Sequence, residues 1–598
     1  MRRARSAVIA IAALVSLPAV PATAQADPPA PVFTDGQAQP VFDPADVVRE
    51  SLWVTAPVDS DADGRHDQVY VEVVRPRATE AGMKVPVVYQ ASPYYSGGND
   101  VANHNVDVEL HVPGRHGPKA GRGEVRSSVG PSPAITWRYE QYFTARGFAV
   151  VYAESLGTGK STGCPTTGGE NETIGARSVV DWLNGRARGT DAAGERVSAR
   201  WSTGKVGMMG VSYNGTLPNA VASTGVRGLE TIVPIAAISN WYDYYRSDGA
   251  VVAPGGYQGE DADVLAEYVL TRENREVCRA VVDELVAEQD RVTGDYSPFW
   301  DERNYLNDAH KVRASVLAVH GLNDWNVKMR HVSQWYEALK KHRVEHRIWL
   351  HQFGHSDPYS VNRDPWLVLL NRWMSHYLYD VDNGVERENK STIQREDRTW
   401  TSEAEWPAPG TRGVEVHPTA GGVTTGGLAL RKGKGRESLT DDSSKKAEEL
   451  AAAATSPHRL SYATPALDGA LRISGTVRAD LRLSFSRPAA NVTVLLVDRA
   501  PDGTAKVVTR GWADPQNRNS HWRTTAVKPG HAYGIRVNFE PDDYVFAAGH
   551  QVGIVVLSSD YDYTLRPLPG AGITVDLGKS GITLPVVGGR GALIDALG

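Results

Sequence analysis

Apolar positions follow two rhythms along the chain. From Leu52 to Tyr89, short runs rich in β-branched and aromatic residues read as strands: Leu52-Trp53-Val54, Val69 to Val74 and Val85 to Tyr89. From about residue 140 the rhythm becomes strand, turn, helix. Phe148 to Tyr152 is a buried-type strand, Ile174 to Leu183 is helix-like before Asn184-Gly185, and Val206 to Met209 is again a short apolar strand. Leu229 to Ile235, Ser315 to His320 and His346 to Leu350 continue the series. Strands alternating with helices predict an α/β fold with a mainly parallel sheet.

Two segments break this rhythm. Residues 240–310 open on the aromatic run Trp241-Tyr242-Asp243-Tyr244-Tyr245, then turn helical around Val264 to Leu270 and Val277 to Val286. A helical cap inserted before the next sheet strand accounts for this. Beyond about residue 385 helical patterning nearly vanishes, and strand-like runs recur at 471–473, 481–485, 492–497, 534–539 and 552–557. Several alternate apolar with polar, as strands with one buried face do. These runs predict an all-β domain of sandwich or jelly-roll type over 386–598, behind an α/β unit over 27–385. Residues 431–456 are charged and Ala/Ser-rich and read as a solvated loop.

Composition narrows the function. Lys and Arg number 64 against 70 Asp and Glu, a net charge of −6, which argues against a nucleic-acid partner. Residues 1–26 read as a secretory signal: Arg2, Arg3 and Arg5 precede the mostly apolar Ala7 to Val20, and Ala22-Thr23-Ala24 and Ala24-Gln25-Ala26 offer small-x-small cleavage sites. No later run approaches the ~20 apolar residues of a membrane span. The expectation is an exported protein. In an oxidising compartment its two cysteines, Cys164 and Cys278, are expected to form one disulfide.

The candidate chemistry begins at Gly210-Val211-Ser212-Tyr213-Asn214-Gly215, which follows a strand and precedes a helix-like stretch. A sharp strand-to-helix turn needs small residues around a nucleophilic Ser, because the backbone there is crowded. Two later turns complete a set in the order Ser, Asp, His that an α/β-hydrolase uses. Asp324 lies in Gly321-Leu322-Asn323-Asp324 after one strand, and His355 in Gln352-Phe353-Gly354-His355 after the next. A neutral Ser hydroxyl is a poor nucleophile, so His355 would take its proton, Asp324 would fix the imidazole, and the Tyr213 backbone N–H would stabilise the oxyanion.

These motifs resemble those of the Xaa-Pro dipeptidyl-peptidase family of serine peptidases, related to cocaine esterase and the α-amino-acid ester hydrolases. The resemblance also runs through Asp61-Ala62-Asp63-Gly64, Ser92-Pro93-Tyr94-Tyr95, Gly157-Thr158-Gly159-Lys160-Ser161, Asp181-Trp182-Leu183-Asn184-Gly185, the Trp241 to Arg246 run and Gly255-Gly256-Tyr257-Gln258-Gly259-Glu260-Asp261. It implies an α/β-hydrolase core with a C-terminal jelly-roll-like domain, no cofactor, and proline-containing peptides as substrates. It also implies an oxyanion donor from a tyrosine hydroxyl in a Pro-Tyr turn after an early strand, a place that Tyr94 holds, with its neighbour Tyr95 as the competing choice.

The aromatic run resembles the dipeptidyl-peptidase branch, with an esterase or acylase as the alternative activity. A binding protein built on the β-domain is a further rival, and the full Ser-Asp-His set speaks against it. Trp241 and Tyr244 suit a pocket for a proline ring, Glu260 suits a free α-ammonium group, and Asn326 could add an amide hydrogen bond. Asp59, Asp61, Asp63 and Asp67 resemble the start of a calcium loop, but Tyr70 stands where its twelfth-position acid belongs; the run reads as a polar turn, and no metal is assigned.

Overall fold

The computed structural model describes residue 1 and residues 30–115, 121–127, 129–130 and 137–598. Apart from Met1, the expected signal segment lies outside the described residues. Ten strands form most of a twelve-stranded sheet: β1 (Val47–Thr55), β2 (Gln68–Pro76), β3 (Val85–Ser92), β4 (Ala149–Glu154), β5 (Ser202–Val211), β6 (Leu229–Ile235), β7 (Ser315–Gly321), β8 (His346–His351), β9 (Ser391–Gln394) and β10 (Trp400–Glu403). Their order is β1-β2-β4-β3-β5-β6-β7-β8-β9-β10, with the short strands Gly189–Thr190 and Arg196–Val197 beyond β1. From β4 to β9 every neighbour is parallel, while β1, β2 and β10 pair antiparallel.

The unbroken apolar runs reflect burial on both faces. Every residue of β3, β4 and β7 is buried. Along β5, Met208 faces one core and Met209 the other. The first core takes α1 (Glu170–Leu183) and α2 (Tyr213–Ser223) through Val179 and Leu217. The second takes the helix Arg363–Tyr379 through Trp366, Leu370 and Trp373.

Between β6 and β7 the chain leaves the sheet for the helices α3 (Trp241–Tyr245), α4 (Ala262–Val269) and α5 (Arg279–Glu288). Cys278, just ahead of α5, is bonded to Cys164, which follows β4; their Cα atoms are 5.5 Å apart and both residues are fully buried. The bond ties the cap to the sheet.

The C-terminal strands form two layers around one core. Val494, Leu496, Ile554 and Val556 of one layer meet Leu481, Leu483, Ile573, Val575 and Leu584 of the other. The expected solvated loop at 431–456 is in fact partly ordered structure. Arg436–Thr440 pairs with Gly572–Asp576, and the helix Ala447–Ala452 buries Ala447, Leu450 and Ala451 against Leu495, Val497, Val555 and Leu557. Its apolar surface consists of too few residues to show a period.

The acidic run between β1 and β2 folds on its own backbone. Asp59 accepts hydrogen bonds from Asp63 N and Gly64 N, Asp67 accepts from Ser60, and Asp61 pairs with Arg272 at 2.6 Å. Asp59, Asp61 and Asp63 bring carboxylate oxygens within 4.8 Å of one another. Arg272 answers one of these charges.

The disulfide closes a loop with 114 residues of sequence separation. Replacing both cysteines by Ser should lower unfolding free energy by about 2–4 kcal/mol in denaturant titrations. Non-reducing peptide mapping should recover the 164–278 cross-link.

Candidate active site

Ser212 sits between the end of β5 and the start of α2 at φ +64° and ψ −129°. This conformation is rare for a residue with a Cβ and stores strain. It holds because the turn is pinned on both sides. Ser212 N donates to Ile235 O of β6 at 2.9 Å, and Gly215 N and Thr216 N donate to Ser212 O at 2.9 and 2.8 Å. The glycines leave room for the helix to cross the strand. A Cβ on Gly210 would lie 2.5 Å from Asn214 O, and one on Gly215 would lie 2.6 Å from Gly210 O and 2.8 Å from Ile235 O. The second glycine therefore belongs three residues after Ser212, where β5, β6 and α2 meet. Tyr213 is the first residue of α2, so its N–H is among those that an α-helix leaves without an internal partner.

The neighbouring parallel strands end on the same edge. His355 Nδ1 lies 2.7 Å from Asp324 Oδ2, and Asp324 Oδ1 accepts the N–H groups of Asn326 and Val327, each at 3.0 Å. The Asp324 side chain is fully buried, while that of His355 is 25% exposed. The two loops are stitched together by Leu322 N to His351 O at 2.7 Å, Asn323 N to Phe353 O at 3.2 Å and Asn323 Nδ2 to Gln352 O at 3.0 Å. A Cβ on Gly321 would fall 2.3 Å from both Phe353 O and Gly354 O.

Three histidines are fully buried among the described residues: His320, His331 and His351. His320 Nε2 donates to Val327 O at 2.7 Å and lies 3.8 Å from Asp324 Oδ2. Burial pushes the pKa of each below the ordinary histidine value, that of His351 down to about 4. In the sequence they read only as strand or helix positions.

Tyr94 and Tyr95 lie on opposite sides of the sheet. Tyr94 packs on the cap-side core, its ring 6.0 Å from that of Tyr213, and burial pushes its phenol pKa up. Tyr95 packs on the other core against Tyr152 and donates its hydroxyl to Gln90 Oε1 at 2.7 Å.

Tyr213 is held by a buried carboxylate that sequence reasoning missed. Its phenol donates to Glu172 Oε2 and accepts Gly168 N–H at 2.9 Å. Glu172, on α1, also accepts Thr166 N at 2.7 Å.

Trp241 differs from its expected role. It is fully buried, its Nε1 donating to Tyr305 OH at 3.0 Å and its ring packing on Tyr213, Tyr244 and Tyr245. It is the wall behind the site and offers substrate no face. Tyr244, 6% exposed, donates to Asn326 Oδ1 at 2.7 Å, so these two expected pocket residues meet directly.

Glu260 is also buried. It accepts the Tyr245 hydroxyl at 3.1 Å and pairs with Arg126, a partner with no signal in the sequence. Burial outweighs that cation and pushes its carboxyl pKa up to about 7. The adjacent Asp261 pairs at 3.0 Å with each of Arg246 and Arg291.

The sheet order, the strained turn after β5 and the loops after β7 and β8 define an α/β-hydrolase. The family described as X-Pro dipeptidyl-peptidase (S15 family) matches residues 63–357, and the X-Pro dipeptidyl-peptidase C-terminal non-catalytic domain matches residues 383–592. A Bacillus anthracis protein with the provisional name Xaa-Pro dipeptidyl-peptidase is 48% identical, over 92% of this chain and 90% of its own. The Xaa-Pro dipeptidyl-peptidase of Lacticaseibacillus rhamnosus is 33% identical, over 94% and 80% respectively. The chain belongs to the S15 X-Pro dipeptidyl-peptidase family of serine peptidases. Its fold is shared with a solved α-amino-acid ester hydrolase (TM-score 0.61, 18% identity, 95% of this chain and 100% of that one). It is shared too with a Staphylococcus aureus CocE/NonD family hydrolase (TM-score 0.65, 15% identity, 90% and 94%).

Gly321→Ala tests the stitching of the two loops. The collision should cost about 1–3 kcal/mol of stability in denaturant titrations. Activity on every substrate should fall, because the shift moves Asp324 against His355.

Proposed function

We propose that this protein is a secreted exopeptidase that releases Xaa-Pro dipeptides from peptide N-termini through a Ser212-His355-Asp324 triad and an acyl-enzyme. The observation that carries the reading is the 2.7 Å bond between His355 and a fully buried Asp324, on the strand edge that also carries the strained Ser212. In this reading His355 Nδ1–H donates to Asp324, which leaves Nε2 to accept the Ser212 proton. Ser212 Oγ attacks the proline's own carbonyl carbon, and the bond from that carbon to the next residue's nitrogen breaks as His355 returns the proton to the leaving amine. Water then repeats the cycle on the ester. The Tyr213 N–H and the Tyr94 hydroxyl stabilise the oxyanion. The raised phenol pKa of Tyr94 suits that task, since a donor must keep its proton.

Specificity follows from the cap. Tyr244 and Asn326 border the proline ring, with Trp241 as the rigid wall behind Tyr244. Glu260 binds the substrate's α-ammonium group, which loses hydration in a largely dry pocket and needs an opposing charge. Export is supported by the Arg-rich, apolar start of the chain and by the buried disulfide, a bond that oxidising compartments favour.

The direct test compares an Ala-Pro anilide with its N-acetylated form. The free peptide should be cleaved at least about tenfold faster, since a charge-assisted bond contributes about 1.5–3 kcal/mol. Equal rates would remove the dipeptidyl-peptidase reading in favour of an esterase or acylase. Ser212→Ala should lose at least about 10³-fold in kcat while remaining folded. A serine-directed phosphonate should label Ser212 in the wild type, and a label elsewhere would refute the assignment. Tyr94→Phe should lower kcat by about 10²- to 10³-fold, the usual effect of removing one oxyanion donor. Tyr95→Phe, on the far side of the sheet, should leave kcat within about twofold; the reverse pattern would exchange the two roles.

A further inference from the structure

A single ionised carboxylate in a dry pocket is an unstable recognition device. Burial drives it toward the neutral form, which holds an ammonium ion far less strongly. Glu260 is in this position: its side chain is 2% exposed and its carboxyl pKa lies near 7. The surroundings show what opposes neutralisation. Tyr244 and Tyr245 face it from α3, Tyr94 from the loop after β3 and Asp261 from its own segment, while Tyr268 of α4 and Tyr257 face the Arg126 guanidinium beside it. Asp261 adds negative charge, but Arg246 and Arg291 already pair with it. The positive charge placed directly on Glu260 is Arg126.

Arg126 arrives from outside the catalytic sheet. It ends the strand Arg122–Arg126, which pairs with Val101–His104 in a separate hairpin. Arg122 donates to Asp263 of α4 at 2.7 Å, and His104 reaches the same carboxylate at 3.0 Å. His104 N also donates to Gly259 O at 2.8 Å, and a Cβ on Gly259 would lie 2.0 Å from His104 O. The hairpin is thus clamped against the residue before Glu260. The Arg126 guanidinium lies over the rings of Tyr268 at 3.7 Å and Tyr257 at 4.6 Å, which fixes its plane. It takes Glu260 Oε2, whereas Oε1 accepts only the Tyr245 hydroxyl among the described residues and keeps lone-pair capacity for a further donor.

We propose that Arg126 is a positioning residue for amine recognition: as counter-ion of Glu260 it keeps that carboxylate ionised and turned so that Oε1 meets the substrate's α-ammonium group. The inference rests on Glu260 being the ammonium site. It makes the docked hairpin part of the specificity apparatus, although the hairpin contributes nothing to the triad.

The test is the pH profile of kcat/KM between about pH 5.5 and 9.5 for an Ala-Pro anilide and for a simple aryl ester. It uses the wild type, Arg126→Gln, Arg126→Lys and Glu260→Gln. Removing an opposite charge raises a carboxyl pKa, so Arg126→Gln should move the acid limb for the anilide upward by at least about one pH unit. The deficit relative to wild type should be largest at acid pH and shrink as pH rises. The acid limb for the aryl ester, which reports the catalytic base, should stay in place. Arg126→Lys, which keeps the charge, should restore most of the anilide profile.

Three results overturn the proposal. An unshifted anilide limb in Arg126→Gln would do so, as would an equal shift for both substrates, which marks a structural role. An anilide rate that rises at every pH would show that Arg126 competes with the ammonium group. Glu260→Gln separates this from failure of the underlying reading. If that variant still prefers free over N-acetylated peptide as strongly as wild type, the ammonium site lies elsewhere and both ideas fall. If it loses the preference while Arg126→Gln leaves the profile in place, only the role of Arg126 falls.

Discussion

The site depends on one narrow gap between two loops. Gly321 closes β7 where the carbonyls of Phe353 and Gly354 approach so closely that no side chain fits between them. That approach lets the backbones bond across the gap and brings Asp324 within 2.7 Å of His355. It also shuts water away from the carboxylate. A buried carboxylate is costly unless its oxygens are satisfied, and here two backbone N–H groups and one imidazole satisfy them. The buried His320 backs the same turn by holding Val327 O.

The second domain bears on this edge directly. Trp325, next to Asp324, packs on Trp512 and Tyr563 of the β-domain, and the Arg510 guanidinium lies over both Trp325 and Tyr563. Ala253 N donates to Tyr563 O at 2.8 Å, while Lys328 Nζ donates to Ala253 O at 3.0 Å. The loop that leads to Glu260 is thereby held between the catalytic core and the β-domain. Burial lowers the pKa of Lys328 to about 8, so this tie is best made below that pH, where the amine is charged. The β-domain is a buttress for the cap as well as a fold of its own.

Much of this was legible in the residues because the signals were local. The parallel sheet was readable because buried strands such as β3 and β7 are uninterrupted apolar runs. The placement of Ser212, Asp324 and His355 on one strand edge was readable because each lies in a Gly-containing turn directly after such a run. What stayed hidden depends on contacts across long stretches of chain. Arg126 and Glu260 are 134 residues apart, Glu172 and Tyr213 41 apart, and neither pair has a periodic or spacing signature. That Tyr94 and Tyr95 pack on opposite sides of the sheet was hidden too, because a turn interrupts the alternation of β3 before it reaches them. Trp241 misled because an aromatic run has the same composition whether it lines a pocket or fills the wall behind one. The helix at 447–452 was missed because three small or lone apolar residues suffice to dock it on a finished sheet.

The central claim is that Ser212 carries a dipeptidyl ester during turnover. Acid-quenched mass spectrometry of the wild-type enzyme mixed with an Ala-Pro aryl ester, followed by peptide mapping, observes that species directly. The account predicts an added Ala-Pro acyl group on the peptide containing Ser212, its level falling as free Ala-Pro accumulates. An acyl group on another residue, or turnover to free Ala-Pro with no adduct even when acylation outpaces hydrolysis, would contradict it.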